Sequence, residues 1–355
     1  MDNKRREKDN IYNTSSTKKE TGRQGKQRHH KPVRLILAAA GILLIGYIIL
    51  INFLVSAALI PSFMKKLQIF EDITERCYGE QVQSDDIREH LKNGQQPYQD
   101  WLESADIRTV SRKTADGYKL IASEIMAERD NHVWVLLLHG YTGWKEAMYP
   151  YAFWYAKRGY HALVPDLRAQ GKSQGDYIGM GWTDHYDCTL WIDYILDQDP
   201  QAQIIIHGQS MGASTALMMS GEPDFPDQVK FIVSDCAYTD AYSMFGQKAQ
   251  EWFHLPPFPV VDSACLMLRL RGGYDLKKAD ALAAVKKSHT PTLFIHGDQD
   301  AMISVEMSRK LYRAATCDKK LLIVEGAGHA QAQAKDPDGF YGAILEFVNT
   351  YLDLY

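Results

Sequence analysis

From residue 133 onward the chain carries six strand-length runs that are apolar throughout rather than alternating. They are VWVLLLHG (Val133–Gly140), HALVPDL (His161–Leu167), AQIIIHG (Ala202–Gly208), VKFIVSDC (Val229–Cys236), TPTLFIHG (Thr290–Gly297) and KKLLIVEG (Lys319–Gly326). A strand with one wet face alternates apolar and polar residues, whereas a continuous run marks a strand buried on both faces, as in a parallel sheet. Helix-like stretches fall between the runs, among them WKEAMYPYAFWYAKRG, WTDHYDCTLWIDYILDQ and VEMSRKLYRAA. Strand–helix alternation of this length predicts an α/β fold, a mostly parallel central sheet with helices on both faces. A Thr-Ala-Asp-Gly turn before GYKLIASEIMA (from Gly117) adds the second arm of a hairpin. Right-handed crossovers put the strand C-termini along one edge, where ligands bind in such sheets.

Charge is distributed unevenly. Met1 to Arg34 hold eleven Lys/Arg against four Asp/Glu, a net +7; the chain as a whole is at −4, which leaves −11 beyond that tail. An acidic body with a basic tail is poorly suited to nucleic acid. Between them Leu35 to Ile60 run 26 residues without a charge, whereas about 20 apolar residues cross a bilayer core. This segment reads as a transmembrane helix. The excess of basic residues before it places the tail in the cytoplasm and everything after Ile60 across the membrane. A cleaved signal peptide is the alternative, with Val55–Ala57 (VSA) as a small-residue cleavage site; the apolar run exceeds the usual ~7–15-residue core of such a peptide, which favours an uncleaved anchor. The expected organisation is a disordered tail over 1–34, a span over 35–60, a polar helical connector over 61–106, and an α/β domain over 107–355. The tail's charge also suits anionic lipid head groups.

The third run ends in GQSMG, with Ser210 between Gly208 and Gly212 and helix-forming residues following. This is G-x-S-x-G in the strand–turn–helix context that gives the motif its meaning. Glycine removes Cβ atoms where strand and helix crowd, the serine sits at the tip of the turn, and the Met211 amide at the helix start faces the same space as an oxyanion donor. A nucleophilic serine needs a base, and the base an orienting acid.

With these residues the chain resembles the α/β-hydrolase superfamily, whose partners follow in the order serine, acid, histidine. FIHGDQDAMIS and VEGAGHAQA come in that order after Ser210. The resemblance implies a triad of Ser210, Asp300 and His329, with Asp298 the alternative acid. The HG turn at His139-Gly140 implies the backbone amide of Tyr141 as second oxyanion donor, with the Tyr141 side chain a candidate to line the pocket. DLRAQGKSQG (Asp166–Gly175) resembles the family's D-x-R-x-x-G-x-S loop, in which Asp166 and Arg168 organise loops. The segment LRLRGGYDLKKADAL resembles a membrane-anchored subgroup of these hydrolases from Gram-positive bacteria. His139, His207 and His296 lie on separate strands without a carboxylate cluster, so no metal is expected, and acyl transfer to water needs no cofactor.

An aromatic, Pro-broken insertion over about 238–288 precedes the acid strand and is expected to fold as a small helical lid. Trp252, Phe253, Phe258, Leu266 and Met267 are its candidates for an apolar substrate pocket; packing of the lid onto the domain explains the same residues. Five cysteines (Cys77, Cys188, Cys236, Cys265, Cys317) without a CxxC pair form no disulfide framework. The expected function is a membrane-anchored serine hydrolase taking a small or lipid-like acyl substrate through an ester or thioester bond. A peptidase or amidase on the same fold, and a tethered binding module with a vestigial triad, remain as alternatives.

Overall fold

The structure, a computed structural model, describes residues 30–67, 96–128 and 131–353. Two compact units divide the chain, with the boundary at Ile48/Ile49. In the first, the described residues form the first part of helix α1 (His30–Leu59), and nearly all of the side chains from Val33 to Ile48 are exposed. Val33–Leu59 is long and apolar enough to cross a membrane. Residues 1–29 and 68–95 hold the basic tail and most of the connector and lie outside the described residues.

The second unit contains a sheet in the order β1-β2-β4-β3-β5-β6-β7-β8. The strands are β1 (Ile107–Lys113), β2 (Lys119–Ile125), β3 (Val133–Leu138), β4 (His161–Pro165), β5 (Gln203–Gln209), β6 (Val229–Asp235), β7 (Thr292–Gly297) and β8 (Lys319–Val324). The hairpin β1–β2 is antiparallel, β2 runs antiparallel to β4, and β3 to β8 are parallel. This is an α/β-hydrolase fold.

Every residue of β3 is at most 2% exposed, which is the reason for its continuous apolar run. Val133, Val135 and Leu137 point into one core with Tyr155, Phe340 and Phe347, while Trp134, Leu136 and Leu138 are buried on the other face. The helices beyond α1 and α2 (Pro61–Lys66) that matter here are α3 (Tyr149–Ala156), α4 (Trp182–Gln198), α5 (Met211–Met219), α6 (Ala241–Phe253), α7 (Pro257–Gly272) and α8 (Ala281–Val285). The lid region holds α6, α7 and α8. Asp240 caps α6 by accepting from the Ser243 amide at 2.7 Å, and Asp280 caps α8 through the Ala283 amide, the capping role that short polar side chains fill at helix starts.

The last turns of α1 belong to the second unit. Ile51, Val55 and Leu59, spaced by four on one helical face, are 2–3% exposed. The Ile178 amide donates to the Leu59 carbonyl at 2.9 Å, and the Tyr141 hydroxyl donates to the Ala58 carbonyl.

Candidate active site

β5 delivers Ser210 to the C-terminal edge of the sheet. Its backbone stands at φ 54°, ψ −115°, a conformation costly for a residue with a Cβ and characteristic of sites that hold a side chain in a fixed direction. The flanking glycines are steric requirements. A Cβ on Gly208 would lie 2.3 Å from the Gly212 carbonyl oxygen, and one on Gly212 would lie 2.1 Å from that of Leu138. The turn is also tied to the neighbouring strand, since the Ser210 amide donates to the Asp235 carbonyl at 2.7 Å.

Two loops bring partners to this hydroxyl. His329 Nε2 lies 3.0 Å from Ser210 Oγ, and His329 Nδ1 lies 2.7 Å from Asp300 Oδ2. With the carboxylate facing Nδ1, the proton belongs there, and Nε2 is left to accept from the serine. Asp300 Oδ1 accepts from the Met302 and Ile303 amides at 2.8 and 2.7 Å, and His296 Nε2 lies 3.1 Å from Oδ2. Burial alone would raise the Asp300 carboxyl; the charge and hydrogen bonds of His329 and His296 outweigh it and hold the group below the usual carboxylate range. Asp298 turns elsewhere and accepts from the Gly326 amide at 2.7 Å, joining the loops after β7 and β8. The geometry therefore places Asp300, not Asp298, behind the imidazole.

Among the described residues no hydrogen bond occupies the Tyr141 or Met211 amide. His139 braces the turn before Tyr141: its Nε2 accepts from the Leu167 amide at 3.0 Å, so its Nδ1 carries the proton and donates to the Gly140 carbonyl at 2.8 Å. Burial pushes its pKa down and favours this neutral form. Asp166 accepts from the Lys145 and Lys172 amides, and Arg168 forms a bidentate pair with Asp187 at 2.7 Å; both side chains knit loops together, as the D-x-R-x-x-G-x-S resemblance implies. Of the other strand-end histidines, His207 faces Tyr155 and burial lowers its pKa to about 3, while His296 bonds Ser308 and the Ile303 carbonyl.

The rings of Trp252 and Phe253 pair at 6.4 Å, but most of the pocket candidates lie at the surface. Phe253 and Phe258 are 57% and 75% exposed because they sit at the end of α6 and the start of α7, beyond the face that packs inward. Leu266 is exposed as well, and Trp252 and Met267 are half-buried. The Tyr141 ring is directed to α1 and α2 through the Ala58 carbonyl and Met64. Sequence reasoning also passed over Asp235 and Cys236. Asp235 is 1% exposed, neither of its carboxylate oxygens has a hydrogen-bond partner among the described residues, and burial raises its pKa to about 6. The Cys236 sulfur lies within 4.8 Å of Asp300 and His329 ligand atoms. The one sequence signal was an aspartate closing an apolar strand run.

The model of the α/β hydrolase fold family matches residues 133–260, and that of the serine aminopeptidase family matches residues 267–336. The chain is a member of the α/β-hydrolase superfamily. Among relatives of this hydrolase, the Bacillus subtilis protein YqkD is 27% identical over 76% of this chain and 88% of its own length. The protein YfhR of Escherichia coli K12 is 25% identical over 62% and 71%. Among solved structures, an esterase of Pyrococcus furiosus superposes with a TM-score of 0.57 at 24% identity, over 70% of this chain and 94% of that one. An acylaminoacyl peptidase of Pyrococcus horikoshii superposes at 0.55 with 19% identity; the match covers 71% of this hydrolase and 42% of that chain.

Proposed function

We propose that this hydrolase is a membrane-anchored serine esterase in which Ser210, His329 and Asp300 form the triad and the Tyr141 and Met211 amides form the oxyanion hole. The observation that carries the reading is the continuous contact from Ser210 Oγ through His329 to Asp300, at 3.0 and 2.7 Å. Ser210 Oγ attacks the acyl carbon while His329 Nε2 takes its proton; the two amides bind the oxyanion. The bond to the leaving alkoxide or thiolate breaks as His329 returns the proton to it. Water then attacks the acyl-enzyme, with His329 taking and redelivering a proton, and the carboxylic acid leaves. No cofactor takes part. α1 serves as an uncleaved anchor, with the tail cytoplasmic and the catalytic domain on the far side of the membrane.

Labelling with a fluorophosphonate tests the centre. Wild type is expected to be modified at Ser210 and Ser210→Ala not at all; a labelled alanine variant would overturn the assignment. A panel of p-nitrophenyl esters of graded chain length reads the acyl preference. Amide cleavage is the second reading, supported by the serine aminopeptidase match over 267–336; aminoacyl p-nitroanilides compared with those esters decide between the two.

A further inference from the structure

Helix α6 turns its one basic residue inward. Ala241, Met244 and Lys248 recur at three- and four-residue spacing and are buried, Lys248 at 5% exposed. The pattern puts a lysine where the core asks for an apolar side chain. An ammonium enclosed in this way is costly unless it is paired and hydrogen-bonded. Its Nζ donates to Glu251 Oε2 and to the Ala301 carbonyl, the latter at 2.9 Å, and stands 5.7 Å from the centre of the Trp252 ring. Gln247 Nε2 donates to the other Glu251 oxygen at 2.6 Å and so steadies the counter-ion.

The Ala301 carbonyl belongs to the loop that holds Asp300. The peptide joining Ala301 to Met302 is engaged at both ends. Its N–H, on Met302, donates to Asp300 Oδ1 at 2.8 Å, and its C=O, on Ala301, accepts from Lys248. A hydrogen bond to the carbonyl polarises the peptide and strengthens the bond made by its N–H. The Ile303 amide is the second donor to Oδ1, and the Ile303 carbonyl accepts from His296 Nε2 at 2.8 Å. The acid loop is thus tied to β7 through His296 and to α6 through Lys248.

We propose that Lys248 is a positioning residue for the acid of the triad: by holding the Ala301 carbonyl it aligns the Met302 amide on Asp300 and so fixes the carboxylate against His329. This rests on the triad reading above. It gives α6 a part in catalysis that needs no contact with substrate. The docked helix completes the orientation of the base, and lifting it away breaks the contact and releases the acid loop. A lysine kept for packing alone would be replaceable by methionine, which has nearly its length and is apolar.

The test uses the full chain in detergent micelles with p-nitrophenyl butyrate. Lys248→Met is expected to lower kcat about tenfold with KM within about twofold of wild type. It is also expected to move or broaden the far-downfield proton resonance of the His329 Nδ1–Asp300 hydrogen bond. Lys248→Arg, which keeps a donor, is expected to recover most of kcat and the wild-type resonance. Met244→Ala, on the same buried stripe, is the packing control: it should lower the unfolding midpoint and leave kcat and the resonance unchanged. Wild-type kcat in Lys248→Met overturns the proposal. So does a loss of kcat that leaves the resonance unmoved or that Met244→Ala matches, because α6 then acts by packing alone. A position 248 that permits folding only with lysine or arginine overturns it as well, since the cation then serves folding. Failure of the triad reading looks different: Ser210→Ala would be labelled by a fluorophosphonate, or Asp300→Asn would keep its activity.

Discussion

The loop after β7 and the end of β6 each bury an aspartate beside the same histidines, and the two side chains are treated in opposite ways. Asp300 receives two backbone amides and contacts two imidazoles, so its charge is compensated and its pKa is held down. Asp235 is as thoroughly enclosed, yet among the described residues both its oxygens lack a partner. The nearby His296 and His329 offset only part of that burial and leave the group raised. Burial sets the cost of a charge, and partners decide whether the group keeps it. An ionised Asp300 can orient and stabilise the His329 cation. A carboxyl with a pKa of about 6 is a poor fixed countercharge.

The sharpest way to break this contrast is by amide substitution. Asp300→Asn is expected to lower kcat about 10³–10⁴-fold on p-nitrophenyl butyrate, because an amide no longer fixes the imidazole tautomer. Asp235→Asn is expected to stay within about threefold of wild type. Equal losses would mean that both carboxylates serve the histidine.

Stability against pH separates them with opposite slopes. Asp235 has a folded pKa above its unfolded value, so its cost is absent below about pH 4 and grows until pH passes about 6. Denaturation of the detergent-solubilised chain should therefore show Asp235→Asn gaining on the order of 3 kcal/mol over wild type between those limits. Asp300, with its pKa depressed, contributes stability above the ordinary carboxylate range and loses it as pH falls through that range and below; Asp300→Asn should remove part of the acid-side loss.

The smallest effect belongs to Asp298. Asp298→Ala frees the Gly326 amide and should cost about 1–2 kcal/mol in denaturant unfolding, with kcat within a few-fold of wild type. A loss as large as that of Asp300→Asn would return the acid's role to Asp298.

The strands were legible because two-sided burial leaves a plain mark, unbroken Val/Ile/Leu/Phe in β3, β5 and β7. The proposed triad of Ser210, Asp300 and His329 could be singled out because each follows a strand run in a recognisable order. Asp235 was not. A lone aspartate closing an apolar run looks like any strand terminus, and its isolation depends on loops nearly a hundred residues downstream. The docking of Ile51, Val55 and Leu59 was equally hidden, because a helix apolar on every side has no stripe to single out the packed face. The exposure of the pocket candidates in the lid was hidden for a related reason: aromatic composition says that a surface is sticky and not which way it faces.

The seam between the two units falls at Ile49, inside α1, and this bears on how the protein is handled in the laboratory. A water-soluble fragment begun at Pro61 would discard the carbonyls that receive the Tyr141 hydroxyl and the Ile178 amide, together with the acceptors of Arg271. Supports of the Tyr141 turn, of the Ile178 loop and of α7 would go at once, and turnover recorded on such a fragment would understate the intact molecule. Recombinant work on this hydrolase therefore calls for a chain that retains the whole of α1.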